Sequence, residues 1–389
     1  MNKNMRRLNI LLLSYMHGEG GIQTHSRYLA KGLTARGHTV RILSPQPMPH
    51  HSPASAALGS IQIDTYGNFT QAIRTARREP PDVAIVTGTG WKAMGAAMLL
   101  PRHCRKVFFE VMSGSRSQWL DPRMLVHSGA DAVVGQARPV MARFRSAFRW
   151  HGRWAVIPAL PEPLELAHDI PPRPARALGK SAPVRFAFFS RLAPHKNAKL
   201  LISSWESYAP PGSTLDIWGA GPEADNLQKM IITRGLDREI ALRGRYPEGA
   251  AYIRLLQSYD LLLLPTIGDE GAPLVLLEAM ACGLPFVANG VGGIPDYANQ
   301  DCAITSGNIS EFEPAIRDMV HRLQNGNINP VRLQQYYEES FSFHRLIDRW
   351  EAFLSDVTIS PRARSLFPHR AAADTREQNR PQTGHSSRR

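Results

Sequence analysis

Residues 261–297 read LLLLPTIGDEGAPLVLLEAMACGLPFVANGVGGIPDY, from Leu261 to Tyr297. The leucine run, stopped by Pro265, predicts a fully buried strand. A polar glycine loop follows, Pro273 stands where a helix to Cys282 begins, and Gly283 stands where it stops. This puts Glu270 in the loop and Glu278 inside the helix. The helix start, with free amides at Gly271, Ala272 and Leu274 but none at Pro273, suits a phosphate or the hydroxyl rim of a sugar. A carboxylate at Glu270 can accept hydrogen bonds from sugar hydroxyls, and one at Glu278 can reach a vicinal diol such as a ribose. Leu276, Leu277, Ala279 and Met280 around Glu278 are apolar, so a carboxylate there needs a reason.

The same alternation extends in both directions. Upstream in the same half, strands are predicted at Val184–Ser190, Leu215–Gly219 and Ile240–Arg243. Downstream they follow at Phe286–Ala288 and Ala303–Thr305. A first series covers Leu8–Tyr15, Thr39–Ser44, Ile61–Tyr66, Asp82–Thr87, Lys106–Val111, Asp131–Val134 and Ala155–Ile157. One of its helices is Gly21–Arg36, with Ile22, His25, Tyr28, Leu29 and Leu33 at helical spacing. Between the series, prolines at 161, 163, 171, 172, 174 and 183 mark a linker. The expected organisation is an α/β chain of two doubly wound, Rossmann-like domains, residues 1–165 and 184–335, joined by residues 166–183. Residues 336–357 are expected to form a C-terminal helix with Leu346, Ile347, Trp350, Phe353 and Leu354 on one stripe, and periodicity leaves open which domain it covers. Residues 358–389 read as a disordered basic tail. Two open parallel sheets facing each other enclose a ligand cleft at the carboxyl ends of their strands.

Arg191 and Lys196 follow the strand Val184–Ser190 in SRLAPHKN, on a loop aimed at that cleft, where a planar fork and a point charge can neutralise a diphosphate. Gly219-Ala-Gly221-Pro222 fits a dinucleotide fingerprint through Ala224, yet Arg243 rather than an acid ends the next strand. The turn Gly18-Glu19-Gly20-Gly21 fails as a nicotinamide site for the same reason, because Thr39–Ser44 ends without a carboxylate. A tight turn near phosphate or acceptor remains its use.

Lysine and arginine total 46 against 33 acids, a net charge of +13 that implies an anionic partner: nucleotide phosphate, acidic lipid or nucleic acid. No recognition motif accompanies the charge, which argues against nucleic acid. No apolar run approaches the length of a membrane span. Lys3, Arg6 and Arg7 before Leu8–Leu13 copy the start of a signal peptide, but a buried first strand explains them better, so a cytoplasmic protein is expected. Cys104, Cys282 and Cys302 have no metal-ligand spacing.

Together these segments resemble glycosyltransferase family 4, over about Leu8 to Leu354. The resemblance is carried by Glu270-x7-Glu278 in EGAPLVLLEAMACGLPFVA, by VGGIPD, SRLAPHK and GAGP, and by GEGGIQTHSRYLAKGLTARGHTV. It implies a GT-B fold and a retaining hexosyltransferase. Arg191 and Lys196 would hold the donor diphosphate. Glu270, with the following amides of Gly271, Ala272 and Leu274 around Pro273, would hold the transferred sugar, and Glu278 the ribose. Gly219 belongs to the donor turn, Arg243, Gly244 and Tyr246 would line the base, and Gly20 and Gly21 would approach donor phosphate and acceptor. No D-x-D motif is present, and neither cofactor nor metal is expected beside the nucleotide-diphosphate sugar. The implied partners are that donor, a saccharide or lipid-linked saccharide acceptor of a bacterial surface polysaccharide, and the inner face of an anionic membrane. Many relatives have a histidine where this chain has Met112 and Ser113, and an Asn-Gly pair where it has Ala159-Leu160. Glu110 and Ser113 are therefore the acceptor-side candidates. Two other classes compete: a nicotinamide-dependent oxidoreductase, against which the missing ribose acids count, and a non-catalytic nucleotide-sugar-binding subunit.

Overall fold

The computed structural model describes residues 6–17, 20–45, 61–116, 118–174, 178–268 and 270–361. Gly18 and Glu19 of the glycine turn, part of the linker and the basic tail from 362 lie outside the described residues. Each strand expected from sequence is present. The first domain holds β1 (Asn9–Leu13), β2 (Thr39–Ser44), β3 (Gln62–Thr65), β4 (Val83–Val86), β5 (Arg105–Glu110), β6 (Ala132–Gly135) and β7 (Arg153–Val156). The second holds β8 (Arg185–Phe189), β9 (Thr214–Trp218), β10 (Ile240–Gly244), β11 (Leu261–Leu264), β12 (Phe286–Ala288) and β13 (Ala303–Ile304). They form a seven-stranded sheet ordered β3-β2-β1-β4-β5-β6-β7 and a six-stranded sheet ordered β10-β9-β8-β11-β12-β13. Every described pairing is parallel. Each order reverses direction beside its first strand, and the crevice at such a reversal is where open sheets bind ligands.

The period-2 geometry of a strand divides the first sheet into two cores. Ile10 and Leu12 of β1 face one side with Ile42, Ile85 and Phe109, while Leu11 and Leu13 face the other with Leu43, Val86 and Phe108. The first core is covered by the Gly21–Ala35 helix and by the C-terminal helix Phe343–Ile359, whose Leu346, Ile347, Trp350 and Leu354 are buried in it. The C-terminal helix therefore returns to the first domain. Gly32 makes room for it, since a Cβ there would lie 2.2 Å from Cδ1 of Ile347.

The expected boundary between 335 and 336 is corrected, because it cuts the helix Pro330–Ser340. Leu333 and Tyr337 of that helix are buried in the second-domain core, so the second domain extends through it and the chain turns back at Phe341–Ser342. The two crossings are tied together at Glu165. Its carboxylate accepts from the Phe343 amide at 2.9 Å and from the Tyr337 hydroxyl at 3.3 Å. Among the described residues no helix is long and apolar enough to cross a membrane, and Cys104, Cys282 and Cys302 are buried and form no disulfide.

Candidate active site

The carboxyl ends of the two sheets meet. Gly21, at the start of the Gly21–Ala35 helix, lies against Leu274, at the start of the helix Leu274–Ala281, and a Cβ on it would stand 3.6 Å from the leucine Cδ1. Gly271 is closer still to the first domain, for a Cβ there would fall 2.3 Å from Nε2 of Gln136. Asp296 of the VGGIPD run spans the gap, accepting from the Arg138 amide at 2.6 Å and from its guanidinium at 3.1 Å. It thereby occupies an N-terminal donor of the helix Arg138–Ala147.

On the second-domain wall, Lys196 and Glu270 form an ion pair between two loops 74 residues apart in sequence. Lys196 ends the turn Pro194–Lys196, which Asn197 closes in the left-handed conformation (φ 56°) that asparagine tolerates. Arg191 precedes it and is exposed. The other Glu270 oxygen accepts from the Gly271 amide at 3.1 Å, directly before Ala272 and Pro273 and the opening of the helix at Leu274. The glycine pair Gly292-Gly293 lies beneath this loop. The Gly293 amide donates to the Gly271 carbonyl at 2.6 Å, and a Cβ on Gly292 would stand 2.2 Å from the Glu270 carbonyl oxygen. Gly219 has φ 134°, and a Cβ on it would be 1.8 Å from the Ser190 carbonyl oxygen, so this turn packs backbone to backbone under the basic loop. His195, beside Lys196, Arg191 and Glu270, is held below the ordinary imidazole range, first by burial and then by the lysine.

Glu278 lies one turn inside its helix, partly buried, and accepts from the Tyr252 hydroxyl at 2.8 Å. Desolvation pushes its carboxyl up to about 7, against the smaller opposing effect of that hydrogen bond. Tyr246 stacks on Tyr252, with centroids 5.0 Å apart, and Phe189 meets both rings edge-on. Arg243 and Gly244 end β10, with the Arg243 guanidinium on Asp216 at 2.7 Å. Of the residues expected to meet the donor, Gly21 lies on the first domain and the others stand at or follow the carboxyl ends of β8 through β11.

Two of the three acceptor-side candidates, Glu110 and Ser113, are buried. Glu110 is fully buried and bound to Arg123 at 3.0 Å and to the Met112 amide at 2.8 Å. Burial raises its carboxyl pKa and the arginine opposes that rise. Ser113 is buried too, and its hydroxyl accepts from the Ser115 amide at 3.3 Å. Both are engaged in holding their own loop. Gly20, the other acceptor-side candidate, caps the Gly21–Ala35 helix, and Gln23 braces the approach by donating to the carbonyls of Tyr15 and His17 at 3.0 and 2.9 Å.

Sequence reasoning missed Tyr252, Asp216, Gln136, His195 and the partner of Asp296. Tyr252 sits with Ile253 and Leu256 on a helix and reads as core, whereas Asp216 could have been noticed as an acid inside the apolar strand Leu215–Trp218.

Residues 183–322 match the family model described as glycosyl transferases group 1. The second domain is thus similar to the glycosyl transferases of group 1 over those residues. Over 230 residues the chain is 26% identical to the GDP-mannose-dependent monoacylated α-(1-6)-phosphatidylinositol monomannoside mannosyltransferase of Corynebacterium glutamicum, covering 55% of this chain and 58% of that protein. Over 186 residues it is 30% identical to the GDP-mannose-dependent α-(1-6)-phosphatidylinositol monomannoside mannosyltransferase of Mycolicibacterium smegmatis, covering 44% and 47%. The matches span about half the length of these curated relatives. Among solved structures, Anabaena HepE in complex with UDP superimposes with a TM-score of 0.74 at 19% identity, covering 90% of this chain and 100% of that one. That likeness shows the fold, which is GT-B. The Lys196–Glu270 pair, the GAGP turn and Glu278 all lie within the matched glycosyltransferase domain.

Proposed function

We propose that this chain is a glycosyltransferase that moves a hexose, with retention of configuration, from a nucleotide-diphosphate sugar to a saccharide or lipid-linked saccharide acceptor. Its place would be the cytoplasmic face of an anionic membrane, in the synthesis of a bacterial surface polysaccharide. The observation that carries this reading is the Lys196–Glu270 pair beside the opening of the helix Leu274–Ala281, with Glu278 one turn further in. One cation for phosphate, one carboxylate for sugar hydroxyls and one for a diol are the groups that the diphosphate, hexose and ribose of a sugar nucleotide call for. The similarity to two mannosyltransferases named for glycolipid acceptors supports it, as does the fold shared with HepE, whose solved structure is a complex with UDP.

In this reading the acceptor hydroxyl attacks the anomeric carbon on the face from which the diphosphate departs, and its proton passes to the leaving phosphate oxygen. Arg191 and Lys196 take up the negative charge that develops on that oxygen, and the helix N-terminus adds its dipole. Because two side-chain cations serve the leaving group, turnover is expected to persist in EDTA.

The test is proton NMR of UDP-, GDP- and ADP-hexoses with the protein and a bacterial lipid-linked oligosaccharide extract. Loss of one donor's anomeric signal, with an axial donor giving an axial product, is the expected result. An equatorial product from that donor contradicts retention, and no consumption of any donor contradicts the transferase reading.

A further inference from the structure

The helix Gly249–Ser258 buries Tyr252 together with Ile253 and Leu256 in the second-domain core, where the tyrosine is only 2% exposed. A buried phenol needs a partner for its hydroxyl. That partner is Glu278, which accepts at 2.8 Å through one carboxylate oxygen. The other Glu278 oxygen accepts no hydrogen bond among the described residues and is not sealed from solvent, so it is open to a ligand. The Tyr252 ring has contacts of its own. Tyr246, from the loop after β10, stacks on it with centroids 5.0 Å apart and planes at 23°, and Phe189 of β8 meets it edge-on at 5.8 Å. One side chain therefore touches both the residue expected at the base and the residue expected at the ribose.

The identity of that side chain matters chemically. A lysine or arginine in its place would neutralise Glu278 and compete with a diol for the carboxylate lone pairs. A phenol donates once and brings no charge. Tyr252 stays a donor, because burial, and after it the Glu278 charge, hold its hydroxyl well above the ordinary phenol range. The other titratable groups that face Glu278 are Glu162 from the end of the first domain, Tyr337 from the helix Pro330–Ser340 and Cys282 from its own helix. Burial favours the protonated carboxyl and Glu162, of like charge, adds to that, whereas the Tyr252 hydrogen bond favours the ionised form. We propose that Tyr252 is a positioning residue for the donor: its hydroxyl fixes one oxygen of Glu278 so that the other meets the ribose diol, while its ring backs Tyr246 beside the base. This rests on the transferase reading above, in which Glu278 holds the ribose.

The test is calorimetric titration of UDP, GDP and ADP across pH 5–8 into the wild-type chain, Tyr252→Phe, Glu278→Ala and the double variant, each first shown to melt cooperatively. Phenylalanine keeps the ring and its stacking, so the fold should survive. At pH 7 Tyr252→Phe should bind the nucleotide that the wild type prefers about tenfold more weakly, and the midpoint of its pH profile should rise by about one unit, because the ionised carboxylate has lost a donor. In initial-rate measurements with the matching sugar nucleotide, KM should rise while kcat at saturating donor changes little, since Glu270 and Lys196 are untouched. In the Glu278→Ala background the same substitution should cost about twofold or less, because a residue that acts through another is silent once that other is gone. Wild-type affinity with an unmoved midpoint in Tyr252→Phe overturns the proposal and leaves the transferase reading standing. An equal loss in the Glu278→Ala background also overturns it and assigns the tyrosine to packing alone. If the wild-type protein binds none of the three nucleotides, the transferase reading falls and the proposal with it.

Discussion

Replacing Glu270 by alanine is expected to lower kcat/KM for sugar transfer about 10²-fold or more, the usual cost of removing a preorganised transition-state contact. Melting temperature should hardly change. The reason for expecting so selective a loss is the ion pair. Lys196 is paired with Glu270, and donor binding would exchange this contact for two others, phosphate on the lysine and sugar hydroxyls on the glutamate. Deleting the carboxylate frees Lys196, so a nucleoside diphosphate without sugar should bind at least as tightly as before, while the intact donor loses turnover. Calorimetry with the diphosphate and initial rates with the sugar nucleotide separate the two. Equal weakening of both ligands would mean that Glu270 shapes the loop rather than touching the sugar, and unchanged rates would remove it from the site.

Glu278→Gln should make the protein more stable in alkaline buffer and a poorer nucleotide binder there. The wild-type carboxyl, raised to about 7 by burial, favours the fold when protonated. Its contribution is therefore complete below the unfolded value, declines as pH rises through about 7, and is absent above that. A displacement of this size is worth on the order of 3 kcal/mol, which glutamine would recover at pH 8 and which would vanish at pH 4. Binding runs the other way. A ribose diol can donate to both oxygens of the carboxylate but to only one of the acid, and more weakly, so affinity should fall as pH drops through about 7, and the glutamine variant should bind about tenfold more weakly at pH 8 with a flattened profile. Thermal melts and nucleotide titrations across pH 5–8 check both signs. A variant with wild-type pH dependence in both measurements would remove Glu278 from the ribose role.

The sheets were legible because their strands are apolar runs with glycine and proline between them, from Leu8–Tyr15 to Ala303–Thr305. The structure moves most of their ends by only a residue or two. What periodicity cannot supply is the partner across space. The stripe Leu346, Ile347, Trp350 and Leu354 says only that the last helix is buried on one side. Its destination is decided by the notch at Gly32, more than 300 residues earlier. The boundary at 335 failed for a related reason, since Leu333 and Tyr337 straddle it on one helix face. At the candidate site, the residue types that suit a sugar nucleotide were read from loop and helix positions and from the family resemblance. The pairing of Lys196 with Glu270 and the hydroxyl that Tyr252 brings to Glu278 became visible only in three dimensions. Glu110 shows the converse. Its position after a sheet strand suggested the cleft, but the arginine that claims it lies thirteen residues on and is buried with it.

The most direct test of the central claim, that the second-domain wall binds a sugar nucleotide, is a melting-temperature series with UDP-, GDP- and ADP-sugars beside NAD and NADP. A ligand at 100 times its Kd stabilises the native state by about 2.7 kcal/mol, enough to shift the transition visibly. One sugar nucleotide should raise the melting temperature of the wild-type protein and fail to do so with Arg191→Ala. A response to NAD or NADP with none to any sugar nucleotide would contradict the account.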